Sequence, residues 1–275
     1  MANTDIGRTW ARFAPQLRAS FRARDIPMAF ALLTRLPLPH FHAATEARRP
    51  AARGAWAYPL VGIVLALIAA GVGEAFGRMG ATPALSAFFV LIVLVMLSGA
   101  MHEDGLADCA DGFWGGWSAD KRLRIMKDSV VGSYGVIALV LSLFLRWYLI
   151  SELITDGAML WPLVIAACGS RAAMVWVMNS LPIARRDGLS DRTGRPGAVA
   201  TGLAVGLAVI VMIAAPDVSA FWLFVVAGFA TLVVRQVARR KIGGQTGDVL
   251  GATQQVVEIA LLIGCQMMVF GWDAT

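Results

Sequence analysis

Residues 84–116 read ALSAFFVLIVLVMLSGAMHEDGLADCADGFWGG, and this stretch decides the fold. Its first half is an apolar run of about 18 residues, close to the ~20 that a helix needs to cross a bilayer. Its second half carries four acidic residues, which lipid does not accommodate without partners. The stretch therefore predicts a membrane helix that ends directly at a polar segment on the membrane surface.

Other apolar runs of similar length lie on both sides of this stretch. Of the 275 residues, 58% are hydrophobic and 15% are charged, whereas a soluble domain has about 45–50% apolar and about 25% charged residues. This composition excludes a disordered chain, a coiled coil and an ordinary cytosolic enzyme. We predict an all-α, polytopic integral membrane helix bundle of about seven transmembrane helices, and a count of six or eight stays open. The predicted spans are 58–77, 84–101, 132–151, 159–181, 198–215, 220–235 and 249–270.

The basic residues alternate between the predicted connections. Nine arginines precede residue 54, and further Lys and Arg residues cluster in 102–131, in 182–197 and after the sixth span, while the other connections hold at most one. By the positive-inside rule, the N-terminus is predicted to be cytoplasmic. The net charge of +6 is then mainly a mark of topology, and no aromatic and basic platform indicates nucleic acid as a partner.

Two regions are predicted along the chain. Residues 1–53 form a basic N-terminal region without a signal peptide, in which 9–34 is either an interfacial amphipathic helix or a solvated basic tail. Residues 54–275 form a single transmembrane catalytic domain. Three cysteines without paired spacing make a disulfide framework improbable.

The acidic half of the opening stretch is the candidate catalytic segment. Asp104, Asp108 and Asp111 are spaced i, i+4 and i+7, which places them on one face of a helix. Three like charges on one face repel each other, and hard oxygen ligands suit Mg²⁺ or, as a substitute, Mn²⁺. The glycines at 105, 112, 115 and 116 are expected to give a phosphate ester room to approach.

Two further segments carry candidate ligands for phosphate. Arg124 and Lys127 share a helical face and are suited either to phosphate oxygens or to anionic lipid. The string GGQTGD (243–248) is interpreted as a loop that approaches a ligand, although capping of the next helix by Thr246 or Asp248 would also explain it.

Charged residues inside the predicted spans are functional candidates, because burial at that depth costs several kcal/mol unless the charge is paired. Arg171 and Glu258 both lie about 15 Å from the cytoplasmic ends of their spans. We predict that they pair or line a common cavity. Arg146 is nearer the outer interface and is expected to snorkel.

The motifs HEDGLADCADG (102–112) and IMKDSVVG (125–132) resemble those of the cobalamin synthase family, the adenosylcobinamide-GDP ribazoletransferases. The segments LTRLP (33–37), YPLVG (58–62) and TGDVLGA (246–252), and the pairs at 170–171 and 184–185, look like further motifs of that family. The resemblance covers roughly residues 30–262.

The resemblance implies a multi-pass enzyme of the bacterial inner membrane with its active site facing the cytoplasm. It implies that adenosylcobinamide-GDP is joined to α-ribazole or its 5′-phosphate, that GMP leaves, and that Mg²⁺ is required. The metal site would be Asp104, Asp108 and Asp111, and Asp128 and Asp248 would complete the catalytic group as general base or extra ligand. The residues expected to bind substrate are His102, Glu103, Arg35, Arg124, Lys127, Ser129, Arg171, Arg185 and Thr246. The lipid bilayer is the expected environment, and formation of a homo-oligomer stays open.

Two alternatives are weighed against this interpretation. A CDP-alcohol phosphotransferase acting on lipid shares the pattern Asp108-x-x-Asp111-Gly, but Gly115 and Gly116 replace the Ala-Arg of that signature and its closing pair of aspartates is absent. A membrane cation transporter would use Arg171 and Glu258 on its pathway, but the carboxylates cluster at the cytoplasmic edge and no repeat is visible.

Overall fold

The computed structural model describes residues 22–37, 51–186, 188–216 and 218–272. These residues are almost entirely helical, with one isolated β-bridge between Ile183 and Gln245. A 3₁₀ segment, Ala51–Ala57, precedes the second of the α-helices. The α-helices are α1 (Asp25–Leu33), α2 (Tyr58–Arg78), α3 (Pro83–Ser98), α4 (Met101–Gly115), α5 (Ala119–Ile125), α6 (Ser133–Thr155), α7 (Leu160–Ser180), α8 (Leu189–Thr193), α9 (Ala198–Ala214), α10 (Ala220–Ile242) and α11 (Gly247–Trp272).

The all-α membrane bundle predicted from the sequence is confirmed. Among the described residues, five helical segments are long and apolar enough to cross a membrane: Ala51–Arg78, Ser133–Thr155, Leu160–Ser180, Ala220–Ile242 and Gly247–Met268. A sixth is obtained if α3 and α4 count as one broken span. Every predicted span coincides with a helix, and α9 is a shorter apolar helix of 17 residues. The count of six that the sequence leaves open is within the five or six spans supported by length and composition.

Helix α7 is the centre of the bundle. Its most apolar window is 83% buried inside the protein, against 22% for α10, which faces outward. Close approach of α2 explains part of this burial, because a Cβ atom on Gly62 would lie 2.2 Å from the carbonyl oxygen of Ala167. Glycine at this crossing lets two membrane helices pack backbone to backbone.

A sharp turn of 85° separates α3 from α4. Gly99 and Ala100 both adopt left-handed backbone conformations, with φ values of 66° and 56°, and the first ends α3 in the manner of a glycine cap. The left-handed conformation is unfavourable for alanine, so surrounding packing must hold this turn. The turn directs the acidic helix α4 away from the line of α3. The first turn of α4 contacts the middle of α6, whereas Asp111, near the end of α4, contacts the start of α6.

Helices α4 and α11 pack against each other through glycines. A Cβ atom on Gly105 would lie 2.7 Å from the carbonyl oxygen of Asp248, and one on Gly251 would lie 3.2 Å from the Cα atom of His102. Gly112 similarly makes room for Met126, which follows α5. The room that these glycines provide is therefore used by neighbouring helices and not, as expected from the sequence, by a phosphate ester.

The described N-terminal residues pack on the start of the bundle. The indole Nε1 of Trp56 donates a hydrogen bond of 2.9 Å to Oδ2 of Asp25, which joins α1 to the 3₁₀ segment. Most of the amphipathic helix predicted over 9–34 lies outside the described residues. The boundary of the catalytic domain at residue 54 and the cytoplasmic N-terminus stay predictions.

Candidate active site

A cavity of roughly 220 Å³ lies where α1, α2, α4, α7, α8 and α11 meet. Four residues predicted from the sequence to belong to the site line it: His102, Asp104, Arg185 and Asp248. They come from two helices and one connection that are far apart in the chain. The glycine packing of α4 on α11 brings Asp104 and Asp248 to the same cavity.

Asp248 is held by two neighbours. The Thr246 hydroxyl donates to Asp248 Oδ2 at 3.1 Å, and Arg185 Nη2 lies 3.6 Å from the same oxygen. Thr246 Oγ1 also accepts from the backbone N–H of Val249, so it caps α11 while it orients the carboxylate. Arg185 Nη1 is buried without a hydrogen-bond partner, which leaves a donor for an anion.

Asp108 lies one turn beyond Asp104 and is half-buried. Burial, followed by the negative charges of Asp248, Asp104 and Asp111, raises the pKa of Asp108 to about 7, while Arg185 opposes this shift. The neighbouring carboxylates therefore destabilise the charged form of Asp108. A bound cation would relieve this repulsion.

Asp111 has a structural contact that the sequence interpretation did not include. It is buried, and its two carboxylate oxygens accept hydrogen bonds of 2.7 and 2.9 Å from the backbone N–H groups of Gly132 and Gly135. A carboxylate at the start of α6 satisfies otherwise free N–H groups and complements the helix dipole. No contact in the structure supports Asp111 as a metal ligand, and that role stays a prediction.

The carboxylates do not form a complete metal cage by themselves. Among the described residues, no three His, Cys, Asp or Glu side chains are placed to hold a metal ion together. Mg²⁺ commonly uses one or two protein carboxylates, several waters and the phosphates of the substrate. Asp104 and Asp108 fit such a site in their oxygen chemistry and in their uncompensated charge.

His102 has an unused ring nitrogen. Its Nε2 atom is buried and has no hydrogen-bond partner. Because His102 lines the cavity, this nitrogen is available to a ligand.

Glu103 and Glu258 belong to a buried ion-pair network beneath the cavity. Arg146 on α6 lies 2.7 Å from Glu103 on α4 and 2.7 Å from Glu258 on α11. The prediction that Arg146 snorkels is therefore wrong, since its side chain is only 2% exposed. The partner of Glu258 is Arg146, whereas Arg171 donates to the carbonyl oxygen of Ala167 on its own helix.

The remaining predicted residues lie away from the cavity lining. Arg35 is exposed and packs on Gly99 at the α3–α4 turn. A second group is exposed on α5 and in the connection that follows it: Arg124, Lys127, Asp128 and Ser129. The Asp128 carboxylate accepts a hydrogen bond from the backbone N–H of Val130. The structure does not bring this group to Asp104 and Asp248.

Several lining residues were not identified as functional from the sequence. Tyr58, Met174 and Met178 supply apolar surface, and α8 contributes Ser190 and Thr193. Tyr58 stands in a motif noted above, but the methionines are indistinguishable in sequence from ordinary residues of a membrane helix. The position of α8 depends on tertiary contacts, since Ser190 donates a 2.6 Å hydrogen bond to the buried side chain of Gln245.

The comparisons with known proteins agree on one family. The family model described as cobalamin-5-phosphate synthase matches residues 25–266. A relative from Sinorhizobium medicae, strain WSM419, named adenosylcobinamide-GDP ribazoletransferase, is 40% identical over 252 residues, covering 86% of this chain and 94% of its own.

Proteins of the same name from Rhizobium meliloti, strain 1021, and Bradyrhizobium diazoefficiens are 41% and 39% identical. Their alignments cover 86% and 87% of this chain, and 94% and 92% of theirs. No solved structure matches this chain. The chain therefore belongs to the cobalamin-5-phosphate synthase family.

Proposed function

We propose that this protein is the transferase that joins adenosylcobinamide-GDP to α-ribazole or α-ribazole 5′-phosphate. The products are GMP and adenosylcobalamin or its 5′-phosphate. The observation that carries this proposal is the meeting of Asp104, Asp248 and Arg185 at one cavity in a chain of this family. Family membership favours this function over a CDP-alcohol phosphotransferase and a cation transporter.

The reaction is a displacement at phosphorus. A ribose hydroxyl of the ribazole attacks the phosphorus that carries the cobinamide, a new P–O bond forms, and the P–O bond to GMP breaks. The hydroxyl proton must go to a base, and the charge that develops on the phosphates must be compensated. The chain supplies carboxylates and a guanidinium for these two tasks.

Asp248 is our candidate for the general base. Of the two residues considered for this role, only Asp248 lines the cavity, whereas Asp128 is exposed after α5. Thr246 and Arg185 fix the orientation of Asp248 Oδ2. Arg185, with one buried N–H group unpaired, is suited to hold a phosphate oxygen.

Asp104 and Asp108 are the residues proposed to hold Mg²⁺, with Mn²⁺ as a substitute. When bound, the metal would neutralise charge on the diphosphate and on the leaving phosphate. His102, with a free Nε2, is placed to hydrogen-bond the substrate. This assignment uses two of the three aspartates predicted as ligands and leaves Asp111 at the start of α6.

The basic connections support a cytoplasmic location of the site. Arg185 follows α7 and lines the cavity, and the basic residues at 239–241 precede α11, whose first residues also line it. The positive-inside rule places such connections in the cytoplasm. We propose an enzyme of the bacterial inner membrane whose site is open to cytoplasmic nucleotides.

The test is release of GMP from adenosylcobinamide-GDP by purified protein in liposomes, with and without α-ribazole 5′-phosphate and Mg²⁺. We expect release only with all three components, and a loss of about 10²–10³-fold in Asp104→Asn. Asp120→Asn is the matched control, because Asp120 is an exposed acidic residue on α5 outside the cavity. Wild-type protein that releases no GMP would overturn the proposal.

A further inference from the structure

The cavity lining contains a charged and polar group of residues and an apolar group. The charged and polar lining comes from α4, from α11 and from the connection after α7, and it includes Asp104, Asp248 and Arg185. Most of the apolar lining comes from α1, α2 and α7, and single apolar residues come from α4, α8 and α11, namely Met101, Leu189 and Leu250. Its main members are Leu33, Tyr58, Met174 and Met178, which are 1–4% exposed.

The apolar lining is suited to contact with a flat aromatic ring. Met174 and Met178 are four residues apart on α7 and therefore share one face. Methionine side chains adapt their shape and make favourable sulfur contacts with aromatic rings. The ring of Tyr58 adds an aromatic surface that can stack with a second ring.

The size of the cavity limits what can enter. Its volume of roughly 220 Å³ lies between an engineered cavity of about 150 Å³ that binds benzene and the 300 Å³ or more of pockets for drug-sized ligands. A small fused ring system fits this space, whereas a corrinoid macrocycle does not. The corrinoid must therefore stay outside the cavity.

Polarity distinguishes the two bases that the reaction brings to the site. Guanine carries several hydrogen-bonding groups on its edges, and burying them against leucine and methionine would leave them unpaired at a cost of about 1–3 kcal/mol each. A benzimidazole ring attached to ribose has one free ring nitrogen. The apolar side of the cavity is therefore better matched to the base of the acceptor than to that of the nucleotide.

We propose that the aromatic base of the acceptor alcohol binds in this cavity, packed on Tyr58, Met174 and Met178. Its ribose then lies at the charged side, with the attacking hydroxyl at Asp248 and the 5′-phosphate at the unpaired N–H of Arg185. This inference rests on the proposed function and assigns one subsite of it. The two methionines then determine which bases the enzyme accepts.

The first experiment compares KM values for the two substrates in Met178→Ala. Removing this side chain takes away contacts with the base, and we expect KM for α-ribazole 5′-phosphate to rise about tenfold. KM for adenosylcobinamide-GDP should change less than twofold. Met212→Ala is the matched control, because Met212 is equally buried on α9 and does not line the cavity.

A second experiment tests whether shortening the side chain at position 178 lets a larger base bind in the cavity. An acceptor whose base carries one additional fused ring should be a poor substrate of the wild type. In Met178→Ala, this larger acceptor should be a better substrate than α-ribazole 5′-phosphate. Arg185→Met should weaken the binding of α-ribazole 5′-phosphate more than the binding of α-ribazole. Both affinities are measured by equilibrium dialysis without the corrinoid. Met174→Ala, which shortens the other methionine of the lining, replaces Met178→Ala if the latter does not fold.

The outcomes separate this inference from the proposed function. Wild-type protein that releases no GMP contradicts the function itself. Wild-type activity together with a rise of KM for adenosylcobinamide-GDP in Met178→Ala or Met174→Ala would place the nucleotide or the corrinoid in the cavity instead. Unchanged KM values in both Met178→Ala and Arg185→Met would show that the acceptor binds elsewhere.

Discussion

Arg146 Nη1 lies 2.7 Å from Oε1 of Glu103, and this contact joins the middle of a membrane helix to the acidic helix α4. The same guanidinium lies 2.7 Å from Glu258 on α11. Both carboxylates are almost fully buried, and Gln255 adds a hydrogen bond to Glu103. Glu103 is the neighbour of Asp104, so the network fixes the helix that presents the candidate metal ligand.

Arg146→Met is expected to lower stability by about 3–5 kcal/mol, because it leaves two buried carboxylates without their shared cation. The measurement is thermal unfolding of the purified protein in detergent. The double variant Arg146→Met with Glu103→Gln should recover part of the loss, since one of the unpaired charges is then removed. A wild-type melting temperature for Arg146→Met would contradict the role of this network.

Gly105→Ala is expected to reduce activity at least tenfold, because the added Cβ would lie 2.7 Å from the Asp248 backbone carbonyl and force α4 away from α11. The shift would separate Asp104 from Asp248, and misplacement by about 1 Å can cost 10²-fold in rate. Activity is measured as GMP release.

Gly71→Ala is the control for the Gly105 variant. It makes the same change in the exposed part of α2, where a Cβ atom meets nothing within 4 Å. It should keep full activity and gain slightly in stability through helix propensity. Equal activities of the two variants would exclude the glycine packing as a determinant of the site.

The sequence predicted those parts of the molecule that depend on local patterns. Hydrophobic runs located every helix that reaches across the bundle, and the i, i+4 spacing of Asp104 and Asp108 placed both on one helix near the cavity. His102, Arg185 and Asp248, noted in three separate motifs, do line a common cavity. Their meeting could not be derived from spacing, because it depends on the crossing of α4 and α11.

Two residues, Arg146 and Asp111, make contacts that the sequence did not predict, because both contacts depend on tertiary pairing. The prediction for Arg146 used only its depth in the span. Depth does not determine which face of α6 contacts α4 and α11. Asp111 fits the acidic stripe in spacing, yet the chain turns back so that α6 begins beside it and takes both of its oxygens. Charged residues inside membrane spans usually have polar partners. This rule holds for Arg146 as well as for Arg171, the residue for which a partner was expected.

Asp111→Asn separates a capping role from a metal role. The amide keeps only one acceptor oxygen for the N–H groups of Gly132 and Gly135 and loses the charge at the start of α6, so we expect a loss of about 1–2 kcal/mol in stability. The Mg²⁺ concentration for half-maximal activity should stay within twofold of the wild type. A large increase in that concentration would instead identify Asp111 as a metal ligand, as the sequence predicted.

The affinity for Mg²⁺ should rise with pH, because Asp108 must be ionised to bind the cation and its pKa in the metal-free protein is about 7. Below pH 7 a proton competes with the metal, whereas above pH 7 this competition disappears. We expect the apparent affinity, measured by titration of the purified protein with Mg²⁺ alone, to increase about tenfold from pH 6 to pH 8. Asp108→Asn should bind more weakly and show a flatter profile, because the titrating group is gone. An unchanged profile in this variant would mean that another group controls metal binding.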